Sequence, residues 1–570
     1  MAFDKTPKEL NDIGDSFFYG LGESKNIEIA FTYYKQAADQ NNPVGLYNVS
    51  KYFIEKKDFK QGLEYLKKAA YLDYPQAYIK LSDIYLNGLG VRKNKAKAFK
   101  YLEHAAKLNE VESYHLLGKF YLYGIGTNKN ESKAYALFNN SAKANNTEGM
   151  FLLADLLLTG KKVKNDFETA FFYFDKAASS NNVLAINKLK ELYKKPHPYL
   201  KKHSDIYRQE MWFYYDELLA NLDDIEALKR CAFAYYKGNE FVKVNYEKSI
   251  KYFKTLHKLD DQSGYLGLGL SFLYGQGVEI DLERARDYLE IASTRNDALA
   301  KNALGDIYRL GKGVESNFNR AKDYYLEAAK QEEVDALINL GLLHYRKQIK
   351  NATDMLAHQY MVQASKKNNP NAFYWLGIFN DKGIGCNKSF DEAKKFFEKA
   401  IKFGNIGAKY KLATMIYEDT KNLKQSKKKL DKQYLEIRDL LVEYINNPIH
   451  QEINGLYSMY TLGELYTLEN FSLKSMKISR YYFEKAASKN FGKAMVRMYD
   501  ILKDKEPNQA MNYLNKACEK PSDGEELFKL SIVYEQGLHG VIKDKVKSRK
   551  LLDQSAKLNY PEAIKKVTMS

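Results

Sequence analysis

The chain has 570 residues and a net charge of +17, from 89 Lys and Arg against 72 Asp and Glu. Its three cysteines, Cys231, Cys386 and Cys518, stand far apart, which excludes the dense disulfide framework of a small secreted scaffold. No run approaches the roughly 18 apolar residues of a membrane-spanning helix. The stretch Met1-Ala-Phe-Asp-Lys-Thr-Pro-Lys-Glu-Leu10 also lacks the apolar centre of a secretory signal. A cytoplasmic setting is expected, with a secreted effector lacking a classical signal as the alternative.

One four-residue stripe recurs along the chain. It begins as Ala30/Tyr33/Tyr34/Ala37, Gly62/Tyr65/Leu66/Ala69 and Ala98/Tyr101/Leu102/Ala105. Residues at i, i+3, i+4 and i+7 share one face of an α-helix. From Gly62 to Ala98, Ala134 and Ala170 the step is 36 residues, as it is from Ser249 to Ala285, Ala321, Ala357 and Ala393. A fixed period of this length means stacked supersecondary units. Residues 1–182 hold about five of them, with turns at Gly20-Leu-Gly22, Gly88-Leu-Gly90 and Gly124-Ile-Gly126. Residues 183–224 break the period. Lys194-Lys-Pro-His-Pro198 predicts a loop, and Met211/Tyr214/Tyr215/Leu218 is the expected stripe after it. Residues 225–405 are a regular array. Residues 406–454 make one long irregular unit whose polar run, Lys421 to Lys429, predicts either a longer second helix or an exposed loop. Residues 455–570 hold degenerate units and a capping helix from Pro561.

Each unit has another helix in front, patterned small-x-x-x-Leu-Gly-x-x-Tyr, as in Ala300, Leu304, Gly305 and Tyr308. Two helices of a dozen residues joined by short turns form an αα-hairpin, which needs its neighbours to bury its apolar stripe. Leu304-Gly305, Gly311-Lys-Gly-Val314 and Ala328-Ala329 together resemble the Sel-one-like repeat, a relative of the tetratricopeptide repeat. The resemblance covers nearly all of the chain. Departures are the lost turn glycines near Lys57, Lys347 and Lys505 and the two irregular segments. The expected fold is all-α: one continuous right-handed α-solenoid, or superhelix, of about fifteen hairpins with a ~36-residue period.

The same resemblance implies protein–protein interaction, including assembly of complexes or activation and recruitment of an enzyme. Cysteine-rich relatives linked to β-lactam hydrolysis carry cysteine pairs that this chain lacks. The Gly-x-Gly turns follow no strand and lack a Gly-Lys-Ser/Thr ending, so they read as turns rather than phosphate loops. His197 and His203 are the nearest histidine pair, without a third ligand in sight. No nucleophile elbow or metalloprotease helix is present, and no catalytic, cofactor or metal residue is assigned.

The charge amounts to about one excess cation per hairpin, diffuse rather than patched. Abundant Tyr, Lys and Asn read as compositional bias. A basic helical-repeat protein could also bind RNA, which is the rival reading, with a hydrolase behind it. An RNA code needs the same polar positions in every unit. The fourth and seventh residues of the first helix instead read Lys80/Asp83, Leu116/Lys119, Ala303/Asp306, Asn339/Leu342 and Trp375/Ile378. This face is the expected concave lining, and Trp375, Ile378, Leu342, Asn339, Leu116 and Lys119, with Phe373 beside Trp375, are the expected partner-binding residues. Trp375 itself reads either as core filler or as an exposed anchor.

Overall fold

The computed structural model describes residues 5–161, 164–195, 197–422, 426–447 and 453–569. Among these residues it contains thirty-one α-helices, a 3-10 helix at Pro198–Lys202, and no strand. In chain order the α-helices make fifteen first-and-second helix pairs followed by the single helix Pro561–Met569, consistent with the expected hairpin number.

The hairpin of helices Ala298–Leu310 and Phe318–Ala329 shows how the sequence specifies its geometry. The Asp297 side chain accepts from the Ala300 amide at the first N-cap, and Asn317 accepts from Arg320 N at the second. Each such cap is worth about 1 kcal/mol. Gly311 ends the first helix at φ +67°, where a side chain would be strained. Ala321, Tyr325 and Ala328 of the repeated stripe are fully buried. A Cβ on Gly305 would stand 2.4 Å from the Tyr325 ring, so only glycine lets the two helices close over that ring.

The join between hairpins is equally regular. Asp73, Asn109, Asn145 and Asn181 take positive φ, as do Asp260, Asn296, Glu332 and Asn368. Each set advances in 36-residue steps. Asparagine enters this left-handed region more readily than most residues. The next residue is then the N-cap of the following first helix, as Asn146, Asn182 and Asn369 are. Much of the asparagine content, read above as bias, therefore serves turn and cap geometry.

The chain forms two compact units, Met1–Tyr288 and Leu289–Ser570. In both, second helices touch the next first helix and some successive first helices touch directly. Val111–Tyr123 meets Thr147–Thr159 in the first unit, and Pro370–Lys382 meets Gly407–Asn422 in the second. Where turn glycines are lost, Lys57 and Lys347 themselves adopt φ of 61° and 57°.

The irregular segments are hairpins too. In 183–224, helices Val183–Lys194 and Asp205–Ala220 flank the 3-10 helix, whose Leu200 plugs the core. Pro196 of the expected loop lies outside the described residues. The stripe expected here needs correction: Tyr214 is 41% exposed, whereas Asp216 at 0% and Leu219 at 4% are sealed. The buried side is turned by one residue because Asp216 is held inside by cations. Lys190 Nζ lies 2.5 Å from its carboxylate, and Arg230 Nε and Nη2 each lie at 2.7 Å. In 406–454, the second helix Lys427–Ile445 has 19 residues and starts within the lysine run, which realises the lengthened-helix alternative. Leu423 to Gln425 of that run lie outside the described residues.

Candidate interaction face

The fourth and seventh residues of the first helix are mostly half-buried, because neighbouring first helices lie alongside them. That proximity produces ion pairs from one repeat to the next. Asp155 pairs with Lys188 at 3.5 Å, Glu464 with Arg497 at 3.1 Å, and Asp500 with Lys529 at 2.5 Å. In each, the seventh residue of one repeat meets the fourth of the following one. Elsewhere the pairing is local: Lys80 with Asp83 at 3.0 Å and Arg309 with Asp306 at 2.7 Å. The alternating signs seen in the sequence are thus a self-neutralising ladder.

The ladder gives way in the second unit. Asn339 donates to Asn302 Oδ1 at 3.0 Å, a neutral rung. Beyond it come Leu342, Trp375, Ile378, Lys411 and Thr414. Here first helices Val334–Tyr345, Pro370–Lys382 and Gly407–Asn422 enclose an open cleft of about 470 Å³. Tyr345, Tyr374, Trp375, Ile378, Phe397 and Met415 form its apolar lining. The Trp375 ring is half-buried, 6.0 Å from Tyr345, 5.7 Å from Tyr374 and 6.1 Å from Phe379 between centroids. Arg346, Asp381, Lys382, Lys411 and Glu418 stand around it.

The residues singled out from the sequence fall in different places. Trp375 and Ile378 line the cleft, although Ile378 is only 8% exposed. Leu342 is half-buried against the adjoining core. Phe373 does not join them: it is 5% exposed and stacks on Phe396 and Phe403 at 6.4 and 5.7 Å, filling the space beside the second helix Phe390–Lys402. Its ring is packing, not an accessible anchor. Leu116 and Lys119 belong to the first unit. Leu116 borders a separate cavity of about 360 Å³ with Lys80 and Phe120, and Lys119 pairs with Glu148 at 2.9 Å. Tyr345, Met415 and the three rim cations were missed. The signal was present in spacing, since Tyr345 follows Leu342 by three residues and Met415 follows Lys411 by four.

A larger hollow of about 770 Å³ runs beside helix Phe59–Tyr71. It is bordered chiefly by that one helix, with Tyr71 exposed, and does not span successive first helices. The 470 Å³ cleft is the better candidate because three repeats build it around aromatic rings.

No arrangement for chemistry was assembled from the other marked residues. The first glycines of the turns at Gly88, Gly124, Gly275, Gly311 and Gly383 cap helices in the left-handed region. His197 stacks edge-on against Phe167, and His203 lies on Tyr207. Burial raises all three thiol pKa values, that of Cys518 to about 12, which keeps them protonated and weakly nucleophilic. No helix among the described residues is long and apolar enough to cross a membrane.

Helical hairpins stacked on their neighbours within each unit define an α-solenoid repeat protein. The Sel1 repeat model matches residues 10–42, 45–74, 75–110, 111–146, 147–182, 225–255, 263–297, 298–332, 370–405, 456–491, 499–522 and 527–560. The chain belongs to the Sel1 repeat family. Among solved structures it is similar to a protective antigen of uropathogenic Escherichia coli displaying an SLR fold. That match has 21% identity, 82% of this chain and 97% of the other covered, and a TM-score of 0.53. A Sel1 repeat protein from Oxalobacter formigenes matches with 18% identity, 73% of this chain and 95% of the other covered, and a TM-score of 0.24. No curated protein sequence matches the chain. Proteins built from Sel1 and tetratricopeptide-like repeats are generally protein–protein interaction scaffolds.

Proposed function

We propose that this chain is a non-catalytic scaffold that docks a protein or peptide partner on its first-helix face, in the manner of an adaptor that recruits or activates an enzyme. The observation that carries the reading is the cleft around Trp375, where an otherwise self-neutralised face turns apolar and opens. Aromatic side chains in a partly desolvated cleft are the usual anchors of binding energy. The ladder also speaks against nucleic acid. A phosphate backbone needs a row of unpaired cations, and most cations along this face are already matched to carboxylates.

The test is affinity capture from native lysate, with and without nuclease, using the wild-type chain and Trp375→Ala side by side. A protein held near stoichiometry by the wild type, resistant to nuclease and lost from the variant, is the expected result. Bound material that disappears with nuclease overturns the reading.

A further inference from the structure

We infer that the Trp375 cleft takes a short acidic segment of a partner protein, one apolar anchor residue flanked by carboxylates. This deepens the proposed function and rests on it. Along the rest of the face, most cations are consumed internally: Lys80 by Asp83, Lys119 by Glu148, Lys188 by Asp155, Arg497 by Glu464 and Lys529 by Asp500. Isolated exceptions are Lys51, which donates to the Tyr19 hydroxyl at 2.8 Å, and Lys237, over the Phe233 ring at 5.9 Å. Around the cleft three such cations gather in one place. Arg346, Lys382 and Lys411 make no ion pair with the described residues, and Lys411 lies only over the Tyr410 ring, at 5.6 Å. Asp381 and Glu418 also border the cleft, and Glu418 is already engaged elsewhere. The cations therefore outnumber the carboxylates, and a partner's Asp or Glu completes the missing rungs.

The repeats on both sides are altered as well. Family matches cover 370–405 but neither 333–369 nor 406–455, so two of the three helices forming the cleft come from departures from the common unit. The cleft's volume of about 470 Å³ lies within the ~300–1,000 Å³ of ligand pockets. Its apolar lining is an indole, two phenol rings, a phenyl ring, an isoleucine and a methionine, which favours an aromatic or branched aliphatic anchor. A carboxylate meeting these cations at a partly dry rim forms a stronger charge-assisted bond than it would in open solvent. A nucleic-acid strand fits less well, because among the described residues no line of unpaired cations continues along neighbouring first helices beyond the cleft, as a phosphate backbone would need.

The experiment uses the full chain to select from a random peptide library displayed on phage, with subtraction on Trp375→Ala. Surviving peptides are synthesised and titrated by fluorescence in a Trp212→Phe chain, in which Trp375 is the sole indole. The expected peptides carry one aromatic or branched anchor with Asp or Glu within a few residues. Their affinity falls about tenfold or more when Arg346, Lys382 and Lys411 are changed together to Glu, and also falls with added salt. Those three side chains lie on the rim, so thermal unfolding of the triple variant should match the wild type. Peptides without acidic residues, or affinity unmoved by the triple change, overturn the inference. A library whose binders are all removed by the Trp375→Ala subtraction overturns it while leaving a scaffold with another site. Displacement of the peptides by single-stranded RNA overturns this inference and the scaffold reading together.

Discussion

Trp375 sits between the two roles its sequence position allows. Its ring touches Tyr345, Tyr374 and Phe379 yet keeps an edge in the cleft. Truncation to Ala should cost about 1–3 kcal/mol, below the ~3–5 kcal/mol of a sealed aromatic ring, because only part of its surface is buried. Urea unfolding measures this, and a loss above that range would place the indole wholly in the core. His115 is a second residue with a measurable signature. It is buried with no hydrogen-bond partner at Nδ1, and burial lowers its pKa to about 4, assisted by Lys119 and opposed by Glu148. The folded chain thus resists protonating His115, whereas the unfolded chain takes up that proton near pH 6.5. Stability should fall as pH drops from about 6.5 towards 4, by about 2–3 kcal/mol from this residue. His115→Leu should flatten that part of the pH profile; an unchanged slope would assign it to other groups. The sequence places His115 on a helix as a packed or a surface residue; its burial and its missing partner are set by the neighbouring helices.

At the scale of the element, turns and caps set the repeat length. Gly126 is the sharpest case. It has φ +66°, and a Cβ there would fall 2.1 Å from the Lys95 carbonyl oxygen in the preceding hairpin. Gly126→Ala must strain its own backbone and also push two hairpins apart. The expected loss is about 2 kcal/mol or more, seen as a lower midpoint in chemical denaturation. The Asp216 cluster is the other test at this scale. Removing only the carboxylate, as in Asp216→Leu, strands Lys190 and Arg230 and should cost about 3–5 kcal/mol. Replacing all three with apolar residues should restore most of that loss. A triple variant as weak as the single one would show that the cluster holds the hairpin through shape rather than charge. Glycine turns announce themselves by composition, so Gly126 was legible in the sequence. Asp216 was not, because its buried position depends on a Lys in one helix and an Arg in another, 26 residues before and 14 after it.

At the scale of the molecule, most contacts run between neighbouring helices and very few reach further. A chain stabilised by nearest-neighbour interfaces does not unfold as one block. Two compact units strengthen that expectation. In calorimetry the measured enthalpy should exceed the van't Hoff enthalpy, and equality of the two would mean cooperation across the whole chain. Charge acts at this scale too. The net charge of +17 is spread over the hairpins, yet along the first-helix face it is largely cancelled by the ladder. A basic isoelectric point is therefore a poor guide to what this surface binds.

The sequence by itself determined the helices, their pairing into hairpins and the period. Those features depend on local spacing: Ala321, Tyr325 and Ala328 lie on one stripe, and glycine, asparagine or aspartate marks most turns. It also placed Trp375, Leu342 and Ile378 on the first-helix face, since helical periodicity alone decides which residues share a side. Only the tertiary structure decided which of them solvent reaches. Phe373 is sealed by Phe396 and Phe403, and Trp375 is left at a cleft edge, because burial depends on what the next hairpin brings against each ring. The same holds for charge. Asp500 and Lys529 look like two unrelated ions along the chain and become one rung across a hairpin boundary, while Arg346, Lys382 and Lys411 are left without rungs among the described residues. A helix sets the direction of a side chain, but its neighbours set its partners.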